Sequence, residues 1–211
     1  VTNRTARIVV LISGAGSIMA ALASACEDPE YRATIAAVIA DRADAGGLAV
    51  AANAGIPTAI VSPGDFPDRA TWDSAVARAA AAFTPDLVVC AGFMRLLGDP
   101  VLRAFPGHIV NTHPALLPAF PGAHAVREAL AAGVKVTGCT VMIVDEGVDT
   151  GPILAQRAVL VREDDTETSL HERIKAAERE LVVATIGTMV RSGWTIEGKV
   201  ARVGTTEGTV S

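Results

Sequence analysis

Asn111 and His113 stand two residues apart at the end of the run His108-Ile109-Val110, and Pro114 follows at once. If that run is a strand, both side chains point to one face. An Asn amide donates to an oxygen that becomes negative, and a His carries a proton to or from it. Further along, Asp145-Glu146-Gly147-Val148-Asp149 forms an acidic, Gly-containing stretch. A carboxylate from it beside the imidazole would favour the charged ring. Asn, His and Asp in this arrangement suit attack of an amine on a carbonyl carbon. The plainer alternatives are a structural histidine and a solvated acidic turn. A polar pair at the mouth of a buried strand still needs partners, because an unpaired buried amide costs roughly 1–3 kcal/mol. Substrate atoms are natural partners. The acidic stretch lacks the D-x-[DN]-x-[DN]-G spacing of a calcium loop.

Gly14-Ala15-Gly16-Ser17 follows a β-branched run and opens a helical segment. Backbone N–H groups and the helix dipole make such a turn an anion site, to which Ser17 adds a hydroxyl. A tight turn that uses glycine only for geometry is the alternative. A dinucleotide fingerprint would want Gly or Ala where Met19 stands, although Asp41 does end the second strand where an acid would meet a ribose. No G-x-x-x-x-G-K-[ST] occurs, so an ATP loop is not expected. Gly92-Phe93-Met94-Arg95-Leu96-Leu97 mixes apolar groups with one Arg, which suits either a flat ring or ordinary core. Lys175 and Glu178 share a helix face at i, i+3 and read as a solvent salt bridge or as ligands of a small polar substrate. His124 and His171 fall on helical segments and are read as structural. His108 begins a strand and is read as solvated.

These groups need a scaffold of alternating strands and helices. The 211 residues are half apolar and poor in aromatics, which suits aliphatic packing of β and α units. Strands are predicted over 7–12, 34–40, 57–61, 86–91, 108–112, 136–144 and 153–161. Helices are predicted over 17–27, 44–53, 69–83, 99–104, 123–131 and 166–191, with Asp44 capping the second. The first half gives a doubly wound parallel sheet, and two successive strands in the second half make the sheet mixed. A single domain over 1–211 is expected, with helices on both faces and a tail after about Gly193 that reads as a loose hairpin or as partly disordered. Ligands should sit outside the carboxyl ends of the strands, where the Gly-rich turn, the Gly92 loop and Asn111 all fall. The net charge of −5 argues against nucleic-acid or membrane-surface partners. Cys26, Cys90 and Cys139 are scattered, so neither a disulfide framework nor a zinc site is expected. The opening residues lack a signal segment or a membrane span, and a cytoplasmic location is expected.

Taken together, these motifs resemble the folate-dependent phosphoribosylglycinamide formyltransferases, from about Arg7 to Gly193. The resemblance rests on I-S-G-x-G-S at Ile12 to Ser17, D-R at Asp68-Arg69, A-G-F-M-R at Ala91 to Arg95, N-x-H-P-x-L-L-P at Asn111 to Pro118, and D-x-G-P at Asp149 to Pro152. It implies a formyltransferase-like, Rossmann-type fold. It implies that the N-terminal half binds phosphate and that the C-terminal half carries the catalytic and folate-binding residues. By the same resemblance Gly14, Ala15, Gly16, Ser17 and Ile18, with Lys175 and Glu178, bind phosphoribosylglycinamide. Arg69, Met94, Arg95, Leu96, Leu97, Asn111 and Val144 contact the co-substrate 10-formyltetrahydrofolate. Asn111, His113 and Asp149 are catalytic, with His113 the proton donor kept charged by Asp149. Ile18 departs from the family's common G-S-N, which removes a side-chain donor near the phosphate and leaves the backbone N–H. No metal is required. The expected partners are small molecules, with a homodimer as a candidate assembly.

Three relatives share the Asn/His/Asp core. A methionyl-tRNA formyltransferase normally adds a basic C-terminal domain, and a formyltetrahydrofolate deformylase an N-terminal regulatory one. Neither is expected in an acidic chain whose first strand begins at Arg7. Formyl domains of sugar-modifying enzymes are the third. A nucleotide-binding protein using Gly14 and Asp41 would leave Asn111, His113 and Asp149 without a task. A catalytically dead folate-binding module is disfavoured by the intact triad.

Overall fold

Aliphatic runs bounded by Gly, Asp and Pro fix the strands, and the computed structural model describes them over residues 4–204. The chain divides into two compact units between Asn111 and Thr112. The first holds strands β1 (Ala6–Ile12), β2 (Ala33–Ala40), β3 (Thr58–Ile60) and β4 (Leu87–Cys90), and β5 (Ile109–His113) carries the chain across the division. Their order is β3-β2-β1-β4-β5, with every pair parallel. Ile8 to Ile12 are fully buried, as expected of a central parallel strand covered on both faces. The chain adds β2 and β3 on one side of β1, then crosses to add β4 and β5 on the other. The switch point therefore lies between β1 and β4, where ligands bind in open parallel sheets.

Helices α1 (Ser17–Ala25), α2 (Gly46–Asn53), α3 (Arg69–Ala81) and α4 (Asp99–Ala104) make the crossovers. Asp68 caps α3 by accepting from the Thr71 N–H at 2.7 Å. The expected Asp44 cap does not form. α2 begins instead from Ala45 without a side-chain cap, and Asp44 pairs with Arg42. A forked guanidinium two residues away offers the carboxylate a stronger partner than one helical N–H.

In the second unit α5 (Ala125–Ala131) precedes the antiparallel pair β6 (Val136–Ile143) and β7 (Ile153–Leu160), in which Thr140 lies opposite Gln156. The long helix α6 (Glu167–Ser192) starts at Thr166, which exchanges side-chain bonds with Ser169 in a capping box. The tail takes the hairpin alternative and is ordered. β8 (Trp194–Glu197) and β9 (Val200–Val203) form a hairpin, and β9 lies parallel to β7. Alternating side chains on each side of the positive-φ Gly198 favour this pairing over a loose tail. Residues 205–211 of the expected tail lie outside the described residues. Parallel and antiparallel pairs together make the strands mixed, as expected. No helix among the described residues is long and apolar enough to cross a membrane.

Candidate active site

β5 delivers Asn111 and His113 to one face and Thr112 to the other, as the alternation of a strand requires. His113 is 4% exposed. Its Nε2 lies 2.7 Å from the carbonyl oxygen of Phe120. Its Nδ1 lies 3.3 Å from Asp149 Oδ2. A carbonyl only accepts, so Nε2 carries a hydrogen and donates it. Nδ1 then faces the Asp149 carboxylate, an ion-pair partner for the ring whenever it is charged. Nδ1 is thus the nitrogen whose proton can leave without breaking the Phe120 contact. Asp149 also accepts from the Gly122 N–H at 2.8 Å, which fixes the carboxylate. Phe120 and Asp149 both have positive φ, at 54° and 55°. Such conformations cost on the order of 1–2 kcal/mol per residue and gather at functional sites.

In the first unit two segments leave the carboxyl ends of neighbouring strands. After β1, Gly16 takes φ 74° as the residue before α1, and α1 has no side-chain cap. Its first N–H groups are therefore open to an anion. A Cβ on Gly16 would lie 2.7 Å from the Gly47 Cα, so only glycine fits. Ile18 is buried, while Gly14, Ala15 and Ser17 are exposed. After β4, the loop from Gly92 to Gly98 is tied down at successive positions. The Met94 N–H donates to Ser13 Oγ at 2.9 Å, and Arg95 Nε donates to Asp41 Oδ2 at 2.9 Å. Arg69 donates to the Leu96 carbonyl, and the Gly98 N–H donates to Asp73 Oδ1 at 3.0 Å. Asp73 is 3% exposed and also holds Arg69 Nε at 2.8 Å. These ties leave the Met94 and Leu96 side chains exposed, a small apolar surface beside the switch point. Leu97 is half-buried, and Trp72 stacks on Phe93.

Glu178, on α6, is buried and accepts from the Thr112 hydroxyl at 2.9 Å. Burial pushes its carboxyl above the usual range, against the opposing pull of that hydrogen bond. Lys175 is half-buried and pairs with Glu172 at 2.9 Å, so the solvent salt bridge read for Lys175 and Glu178 does not form. Val144 is half-buried directly after β6. The three cysteines are free, and burial pushes Cys26 to about 11 and Cys90 and Cys139 to about 12. None of them is a thiolate nucleophile near neutral pH.

The sequence pattern of a family described as formyl transferase matches residues 6–186. The chain belongs to the formyl transferase family. A phosphoribosylglycinamide formyltransferase of Mycobacterium tuberculosis is 51% identical over 199 residues, covering 94% of this chain and 92% of that protein. The human trifunctional purine biosynthetic protein adenosine-3 is 42% identical over 191 residues, which are 90% of this chain and 19% of the human protein. The crystal structure of glycinamide ribonucleotide transformylase 1 from Symbiobacterium toebii matches with a TM-score of 0.91 at 45% identity, covering 96% of this chain and 94% of that one. The fold is therefore the formyltransferase fold, and the family's co-substrate is a formyl-folate.

Within this formyl transferase fold, His113 and Asp149 come together in the second unit, and Asn111 shares the strand of His113. The Gly-rich turn and the Gly92 loop come together in the first, where the Ser13 N–H also donates to the Gly92 carbonyl at 3.2 Å. The rival use of Asp41 as a ribose acceptor finds one of its oxygens held by Arg95. Met19, at the dinucleotide position, is buried core. Sequence reasoning missed Thr112, the Phe120 carbonyl, Gly122, Asp73 and Thr140. Pro121-Gly122 gave a turn signal. A backbone carbonyl leaves no mark in residue types, and Asp73 looked like any helical acid.

Proposed function

We propose that the chain transfers a formyl group from 10-formyltetrahydrofolate to the amine of 5'-phosphoribosylglycinamide. The products are formylglycinamide ribonucleotide and tetrahydrofolate, and the reaction is a step of de novo purine synthesis. The observation that carries the chemistry is the His113 ring held between the Phe120 carbonyl and Asp149. The amine nitrogen attacks the formyl carbon. The oxygen becomes negative, and the Asn111 amide and the charged His113 ring stabilise it. Asp149 accepts the amine proton through a water. The bond from the formyl carbon to folate N10 then breaks, and the same proton passes to N10 as it leaves. A dry, oriented pair of substrates supplies much of the remaining rate.

The open N–H groups of Gly16, Ser17 and Ile18 suit the substrate phosphate, and Gly14 and Ala15 shape the turn that presents them. Lys175 and Glu178 are placed on the ribonucleotide side, by resemblance. Met94, Arg95, Leu96 and Leu97 suit the flat folate ring, with Arg69 and Val144 completing that contact set and Asn111 reaching the formyl group. The division between units falls inside β5, between Asn111 and His113, and the family match spans it. We therefore take both units as one formyltransferase domain.

The assay mixes 10-formyltetrahydrofolate with protein and follows deformylated folate by absorbance, with and without phosphoribosylglycinamide. Turnover that depends on the ribonucleotide is expected. Deformylation that ignores the ribonucleotide would mean a hydrolase, and no turnover in either tube would sink the reading.

A further inference from the structure

His113 depends on a carbonyl seven residues ahead of it, so something must hold the intervening loop. Thr140, on β6 of the second unit, is fully buried. Its hydroxyl donates to the Ala115 carbonyl at 2.7 Å. It accepts from the Leu117 N–H at 3.1 Å and from Gln156 Nε2 at 3.0 Å. One hydrogen and two lone pairs are all a hydroxyl offers, and all three are used. The Gln156 amide also donates to the Leu117 carbonyl at 2.8 Å. The loop is thus pinned three times, at Ala115 and Leu117 by Thr140, at Phe120 by His113, and at Gly122 by Asp149.

We propose that Thr140, backed by Gln156, is a positioning residue for formyl transfer: it fixes the loop whose Phe120 carbonyl orients the His113 ring. This rests on the reading of His113 as a stabiliser of the oxygen that becomes negative during formyl transfer. Without the hydroxyl, the Leu117 N–H and the Ala115 carbonyl lose their buried partner, and the loop relaxes. The Phe120 oxygen then moves off Nε2, and the ring loses the contact that aims Nδ1. Substrate-binding residues are untouched, so the loss falls on kcat.

Thr137 supplies a matched control. It lies on the opposite face of the same strand and is equally buried, and its hydroxyl has no partner among the described residues. The experiment compares Thr140→Val, Thr140→Ser, Thr137→Val and His113→Ala in the formyl-transfer assay, with melting curves alongside. Thr140→Val is expected to lower kcat about 10- to 100-fold, the scale of a small misplacement. KM for each substrate stays within about twofold. Thr140→Ser recovers most of the rate, and Thr137→Val keeps it. The His113 Nε2–H resonance, slow to exchange in the wild type, is lost in Thr140→Val. If Thr140→Val does not fold, Gln156→Leu is read in its place, with a fall of about fivefold and the same KM values. A folded Thr140→Val with wild-type kcat overturns the proposal, as does an equal loss in Thr137→Val. Near-normal activity in His113→Ala would instead overturn the assignment of His113 itself.

Discussion

At the end of β1 the backbone is what the protein presents, with Gly16 at positive φ and the uncapped N–H groups of α1. At the end of β5 side chains are presented, and the backbone serves them through the Phe120 carbonyl and the Gly122 N–H. The first arrangement offers space and dipoles, so glycine dominates it, and Ile18 adds a backbone N–H with a buried aliphatic side chain. The second needs a proton at a defined atom. It therefore calls for specific residue types, two positive-φ residues and a buried polar network. On the proposed function, the contrast separates holding a substrate from transforming it. Changes at the first region are then expected to act on binding, and changes at the second on rate.

The largest expected effect is at the second region. His113→Ala should lower kcat about 10³-fold or more, within the usual reach of acid–base and oxyanion terms, with KM nearly unchanged and melting near wild type. A comparable rise in KM would blur the contrast. At the first region, Gly16→Ala sets a Cβ against the Gly47 backbone. It should raise KM for the ribonucleotide at least ~10-fold, since the turn must open to relieve a contact that costs on the order of 1–3 kcal/mol. A change in kcat alone would contradict the binding role. Asp73→Ala frees the Gly98 N–H and Arg69. KM for the folate is expected to rise about 10-fold, in line with one unpaired donor, with KM for the ribonucleotide steady.

The smallest effect concerns stability. Burial raises the Glu178 carboxyl above its unfolded value. A raised acid contributes stability that is full below the unfolded value and lost as pH rises through the folded one. Glu178→Gln should therefore melt higher than wild type at neutral pH, by a few degrees at most, and the gain should shrink as pH falls into the ordinary carboxylate range. A gain independent of pH would point to packing rather than charge.

The elements were largely legible because the aliphatic runs and glycine stops are local signals. α4 and the start of α6 fall where Pro100 and Thr166 place them. Asp44 failed as a cap because a nearer guanidinium competed for it, a choice that propensity does not encode. The tail was read as a loose hairpin or partly disordered, and its order could not be read because short, polar, alternating strands gain order only from a neighbour, here β7. At the site, Asn111, His113 and Asp149 were visible as residue types at telling spacings. Thr140 and Asp73 were not, because their importance lies in backbone groups that fold back to them from elsewhere in the chain.

The most direct test of the His113–Asp149 unit is a double-mutant cycle on kcat with His113→Ala, Asp149→Ala and the pair together. Residues that act as one device are non-additive. The double variant is expected to be no slower than the worse single variant. Losses that multiply would mean that the two side chains work independently, and the pairing of His113 with Asp149 as one device would have to be abandoned.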